Sequence, residues 1–187
     1  EEIYSAMVVY GLLTYENGRV FIPNKELMGS YAAMMKKEKS LGYIYRLANL
    51  SEQMLQATLA GDTGTMTQIF QYAHNTEVPI LSYNNETELS AIVNLVYLSA
   101  RDRYRVERED RAGKGYVDFI FYPVRYDQDC IILELKMNYT PEEAIAQIKE
   151  KEYCRSLEEY HGNLLLVGIN YDRKTREHTC CIEEMER

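Results

Sequence analysis

Three residues of the second half of the chain could do chemistry together: Asp118, Glu134 and Lys136. The run Cys130 to Met137 has the length and apolar content of a buried strand, and side chains alternate along a strand. Ile131, Leu133 and Leu135 therefore point one way, and Ile132, Glu134 and Lys136 the other. Two opposite charges on one face of an otherwise apolar strand are tolerable only if they pair, bind a metal or lie at the open end of a sheet, because an uncompensated buried charge is costly. Asp118 lies between Val117 and Phe119 in the preceding strand-like run, Tyr116 to Tyr122. If the two runs form a hairpin through the polar turn near Asp127, Asp118 approaches Glu134 across the ladder.

Two neighbouring carboxylates repel, and a hard divalent cation with oxygen ligands relieves the repulsion. Mg²⁺ is the expected ion, with Mn²⁺ as its substitute. Such an ion polarises a phosphodiester oxygen and lowers the pKa of a bound water. Lys136 would orient that water or offset charge developing on phosphorus, and both tasks stay open at this level. The plainer reading makes Glu134 and Lys136 a solvated ion pair on an edge strand and Asp118 a turn residue.

The elements that must position these residues follow from pattern. Apolar residues from Ile3 to Leu13 predict a helix ending near Gly11, and Asn17-Gly18 predicts a hairpin turn. Helices are expected from Lys25 to about Lys39, from Ile44 to Ala60, and from about Thr65 to His74. After Pro79 the pattern changes. Asn85-Glu86-Thr87-Glu88 reads as a capping box for a helix reaching about Arg101. Strands follow at Tyr104–Glu107, Tyr116–Tyr122 and Cys130–Met137. Thr140-Pro141-Glu142-Glu143 opens a helix expected to reach about Glu159. A buried strand over Asn163–Ile169 and a last strand near Thr179–Ile182 complete the chain. The order predicts an α/β fold with a mixed sheet covered by helices on both faces. Residues 1–79 form a mostly helical region with one hairpin, and residues 80–187 a separate domain.

Composition narrows the function classes. A chain of 187 residues with 46% hydrophobic content can bury a core without disulfides. Cys130, Cys154, Cys180 and Cys181 show no zinc spacing, nor do His74, His161 and His178, so reduced thiols and structural histidines are expected. No apolar run nears the roughly 20 residues that span a bilayer, and no signal segment is present, which makes the cytoplasm the expected location. A net charge of −8 argues against nucleic-acid binding through a broad basic surface. Any such activity must use metal ions, another domain or a local patch. Arg101, Arg103, Arg105, Arg108, Arg111 and Lys114 form a candidate patch, interleaved with acidic residues. The chain opens on Glu1-Glu2-Ile3 without an initiator methionine, as expected of a piece of something longer.

Gly113-Lys114-Gly115-Tyr116-Val117-Asp118 followed by Ile131-Ile132-Leu133-Glu134-Leu135-Lys136 resembles the GxxD…(I/L)ExK signature of the PD-(D/E)XK nuclease superfamily. More narrowly, it is similar to the C-terminal nuclease-like domain attached to AAA-ATPase-like proteins of bacteria. In that group a helix carries Gln-Ile-x-x-Lys-x-Tyr, here Gln147 to Tyr153. The resemblance spans roughly Asn84 to Ile169. It implies a restriction-endonuclease-like fold, metal ligation by Asp118, Glu134 and the Leu135 carbonyl, and a catalytic role for Lys136. It also implies an extra acidic ligand at Glu88, whose plainer duty is the capping box. Gln147 and Lys151, four apart, would orient Lys136 or hold a phosphate; as a solvated helix face they need no function. The implied activity is metal-dependent hydrolysis of nucleic acid, DNA first, with an ATPase module of the parent protein as partner. Pairing of two sites in a homodimer would suit double-strand cutting. The alternative is a catalytically silent nuclease fold that serves as an interaction or regulatory domain of an ATPase.

Overall fold

The computed structural model describes residues 2–75, 86–112, 115–125, 128–150, 160 and 162–185. They fall into two compact units, Glu1–Ala48 and Asn49–Arg187. In the first, helix α1 (Glu2–Val9) precedes an antiparallel hairpin of β1 (Thr14–Glu16) and β2 (Arg19–Phe21). The hairpin turn places Asn17 at φ 50° and Gly18 at φ 80°, the left-handed pair that a two-residue turn requires. Helix α2 (Lys25–Lys37) starts at Asn24, whose side chain accepts from the Leu27 amide at 2.8 Å.

Helix α3 (Tyr43–Leu59) begins in the first unit and continues into the second. There Ser51 meets Ser99 at 2.6 Å and Thr58 meets the Tyr97 hydroxyl at 2.7 Å, hydroxyl pairs that satisfy polar groups inside the core. These bonds tie the end of α3 to the sheet domain. The units accordingly divide between Ala48 and Asn49, whereas the sequence pattern changes after Pro79. Helix α4 (Thr63–Asn75) packs on the last strand, and helix α5 (Glu86–Val96) with the following 3-10 turn (Leu98–Asp102) leads into the sheet.

Five strands follow: β3 (Tyr104–Ala112), β4 (Gly115–Pro123), β5 (Cys130–Met137), β6 (Leu164–Asp172) and β7 (Glu177–Met185), with helix α6 (Pro141–Glu150) between β5 and β6. Spatial order equals chain order, and only the β5–β6 pair is parallel. The expected mixed sheet with helices on both faces is thus present. Ile120, Ile132, Leu164 and Leu166 pack with Ile145 and Ile148 of α6. On the opposite face Phe121 packs with Tyr97, ring centroids 5.1 Å apart.

The helix-start signal at Thr140 forms as a reciprocal capping box. The Glu143 amide donates to Thr140 Oγ1 at 3.2 Å, and the Thr140 amide to Glu143 Oε2 at 2.8 Å. The second expected box, Asn85 to Glu88, and the stretch from Lys151 to Glu159 expected to prolong α6 lie outside the described residues or side chains. Strand β3 outruns its expected end at Glu107 because β4 continues to supply its backbone partners as far as Ala112. Strands β6 and β7 also outrun their expected ends. Asp172 Oδ1 accepts from the amides of Lys174 and Thr175 and closes a turn without a glycine, with Arg176 at φ 60°.

Candidate active site

Strands β4 and β5 hold Asp118 and Glu134. Their last registered pair is Phe119 with Leu133, so Asp118 and Glu134 are the residues next to the end of the ladder on their two strands. The ladder stops there. The Leu135 amide donates to Asp118 Oδ2 at 2.7 Å, so the carboxylate takes a backbone donor where the two strands part.

Glu134 is only 4% exposed. Its Oε1 accepts from the Gln147 side-chain amide and from Lys136 Nζ, the latter at 3.3 Å. Lys136 Nζ also donates to Gln147 Oε1 at 2.5 Å. Glu134, Lys136 and Gln147 thus close a ring in which each side chain touches the other two. Charge-assisted bonds of this kind make a buried ion pair tolerable, and removal of Glu134 or Lys136 would leave the other charge uncompensated. The plainer reading of Glu134 and Lys136 as a solvated edge pair does not hold, because β5 is the central strand and both side chains are largely covered.

Helix α6 delivers Gln147 because it sits very close to the sheet. A Cβ on Gly168, the β6 partner of Glu134, would lie 2.0 Å from the Pro141 carbonyl oxygen and 3.2 Å from the Ala144 Cβ. Glycine at 168 therefore permits the first turn of α6 to rest on β6. Asn170, next along the same face and paired with Lys136, is buried and accepts from the Tyr139 amide at 3.1 Å. Pattern reading passed over both residues. A glycine inside a buried apolar run was the available sign of a close approach.

Of the six residues singled out, the structure brings Asp118, Glu134, Leu135, Lys136 and Gln147 together, while Glu88 lies on α5 with its side chain outside the described residues. Lys151 is also outside them. Among the described residues no three His, Cys, Asp or Glu side chains cluster to hold a metal. The donors at the site are two carboxylates on adjacent strands with the Leu135 backbone beside them. That all-oxygen set fits a small hard cation that keeps several waters.

The expected basic patch resolves into separate contacts. Arg103 pairs with Glu52 at 2.6 Å, and Arg105 with Glu107 at 2.9 Å. Arg101 and Arg108 instead bond to Asn94 and Ser90 of α5. Arg111 and Lys114 side chains lie outside the described residues. His74 and His178, far apart in sequence, converge with Tyr171 against α4, a cluster that pattern reading did not anticipate.

A family model of the PD-(D/E)XK nuclease superfamily matches residues 84–180, slightly more than half of the chain. The chain belongs to the PD-(D/E)XK nuclease superfamily. The matched stretch runs from just before α5 into β7 and so contains Asp118, the Glu134-x-Lys136 element and Gln147. No curated protein matches the chain. No helix among the described residues of this superfamily member is long and apolar enough to cross a membrane.

Proposed function

We propose that the chain is a metal-dependent nuclease whose Asp118, Glu134 and Lys136 act at one phosphodiester group, with DNA as the first substrate to test. The observation that supports this reading is the bond to Asp118 from the amide of Leu135, next in chain to a buried Glu134 that is itself bonded to Lys136. Asp118, Glu134 and the Leu135 carbonyl would hold a divalent ion, Mg²⁺ or Mn²⁺. When bound, that ion supplies a lowered water pKa and neutralises charge on the phosphate oxygens. Glu88 on α5 would be a further ligand.

The chain's own residues do the rest. The Leu135 amide orients the Asp118 carboxylate, and Gln147 fixes the Glu134 carboxylate and the Lys136 ammonium at once. Lys136 is left 16% exposed, enough for its ammonium to meet an attacking water or a phosphate oxygen. Helix α6 excludes bulk solvent from the Glu134 side, which strengthens each of these interactions. An ATPase module elsewhere in a parent protein and pairing of two copies for double-strand cutting extend the same reading.

The test is incubation of the purified chain with supercoiled plasmid, single-stranded DNA and RNA in Mg²⁺ or Mn²⁺, beside Glu134→Ala, Lys136→Ala and an EDTA control. Cleavage that needs the metal and disappears in both variants is expected. Cleavage that survives both substitutions would place the site elsewhere. A chain that cuts nothing under any of these conditions would favour a silent nuclease fold with an interaction role.

A further inference from the structure

Two arginines of the sheet domain carry their charge without an acidic partner among the described residues. Arg108 Nη2 donates to Ser90 Oγ at 2.5 Å, and Arg101 Nη2 to Asn94 Oδ1 at 2.9 Å. Ser90 and Asn94 are one turn apart on α5, and the Asn94 side-chain amide donates to the Ser90 carbonyl at 3.0 Å. The two guanidinium groups are thereby anchored on neighbouring turns of one helix, near enough for Arg108 to act on Arg101. Both anchors are neutral. Arg103 and Arg105, on the same stretch of chain, are each neutralised by a glutamate. Arg101 is half-buried, and its burial together with the nearby Arg108 charge pushes its pKa below the ordinary arginine value. Arg108 is exposed and its guanidinium lies 5.5 Å from the Phe119 ring centroid, so its position is further limited by the aromatic face.

A protein with a net charge of −8 that holds two cations together invites an anion with several acceptor oxygens. Arginine forks match phosphate oxygens in pairs. Across the ladder Arg108 is the partner of Phe119, so the pair lies on the α5 face of the sheet, the face opposite the one on which α6 covers Glu134. We propose that Arg101 and Arg108 bind one phosphodiester group of a nucleic-acid strand, away from the phosphate presented to Asp118 and Glu134. This rests on the nuclease reading for the identity of the ligand. The pair acts as a positioning contact, since phosphate contacts set the register of the strand without reading its bases.

The test is fluorescence anisotropy of labelled single-stranded and double-stranded oligonucleotides with Mg²⁺ over a series of salt concentrations. A Glu134→Gln background keeps the strand intact. Arg108→Gln, at an exposed position, is expected to weaken binding about tenfold and to make the dependence of log K on log salt shallower by about 0.7–0.9. Arg108→Lys should keep the salt slope and recover part of the affinity, because a point charge replaces the fork. Arg101→Gln should act in the same direction. A merely structural arginine would not move the salt slope. Unchanged affinity and slope in both glutamine variants would overturn the proposal, as would failure of the parent background to bind any oligonucleotide. Inorganic phosphate that raises the melting temperature while oligonucleotide binding ignores Arg108→Gln would also overturn it. Cleavage by the unsubstituted chain is read separately: arginine-dependent binding without cutting would sink the nuclease reading and leave the phosphate site standing.

Discussion

The two faces of the sheet each bury a polar cluster, and they solve the same problem in opposite ways. Under α6, Glu134, Lys136 and Gln147 keep an ion pair and surround it with hydrogen bonds. Against α4, His74, His178 and Tyr171 pack as rings, with His178 stacked on Phe70 and the Tyr171 hydroxyl 3.0 Å from His74 Nε2. Burial pushes His178 down to about 3, with the neighbouring His74 adding to the effect, so this cluster is neutral at ordinary pH. A buried group that sheds its charge contributes packing; an acid and a base buried together depend on hydrogen bonds to each other and to a third side chain.

The strongest way to break the contrast is Glu134→Ala. It should lower cleavage about a thousandfold or more while the far-ultraviolet circular dichroism stays that of a folded chain; equal cutting rates would remove the charged cluster from the chemistry. Gly168→Ala comes next. The new Cβ collides with the Pro141 backbone, so α6 must lift from β6 and carry Gln147 away. Urea denaturation should show a loss of about 3 kcal/mol, together with reduced cutting. Wild-type stability here would mean that α6 yields without resistance.

The neutral cluster makes a prediction about acid. An imidazole whose folded pKa lies below its unfolded value of about 6.5 takes up its proton more readily when unfolded. Its contribution is therefore complete above pH 6.5 and is lost as pH falls from 6.5 towards 3, at up to about 1.4 kcal/mol per pH unit. Gln71, Tyr171, Phe70 and Arg176 surround the pair, and none of them is an acid that would titrate in this window. His178→Phe should flatten the fall in stability between pH 6.5 and 4.5, measured by chemical denaturation at a series of pH values. Parallel curves for the two proteins would contradict the burial of a neutral imidazole. The smallest effect is expected for Gln147→Ala. Loss of a side chain that orients others should raise the Mg²⁺ concentration for half-maximal cutting about tenfold and leave the melting temperature within a few degrees.

The legible and illegible parts of the fold differ in sequence distance. The Asn17-Gly18 turn and the Thr140 box were readable because each is a local contest between backbone and side chain, settled within a few residues. The alternation that set Glu134 and Lys136 on one face is equally local. The ends of β3, β6 and β7 were not readable, because whether a charged strand continues depends on whether a neighbour supplies the ladder.

By itself, the sequence determined the type and order of most elements, the shared face of Glu134 and Lys136, and the candidate set around Asp118, since periodicity and capping act at short range. Only the tertiary structure decided that β5 lies at the centre of the sheet, that Gly168 lets α6 bring Gln147 onto Glu134, and that His74 meets His178. It alone separated Arg103 and Arg105, paired with glutamates, from Arg101 and Arg108, bonded to neutral side chains among the described residues. Those outcomes depend on the register between strands and the closeness of a helix to a sheet, which arise when distant segments exclude water from one another.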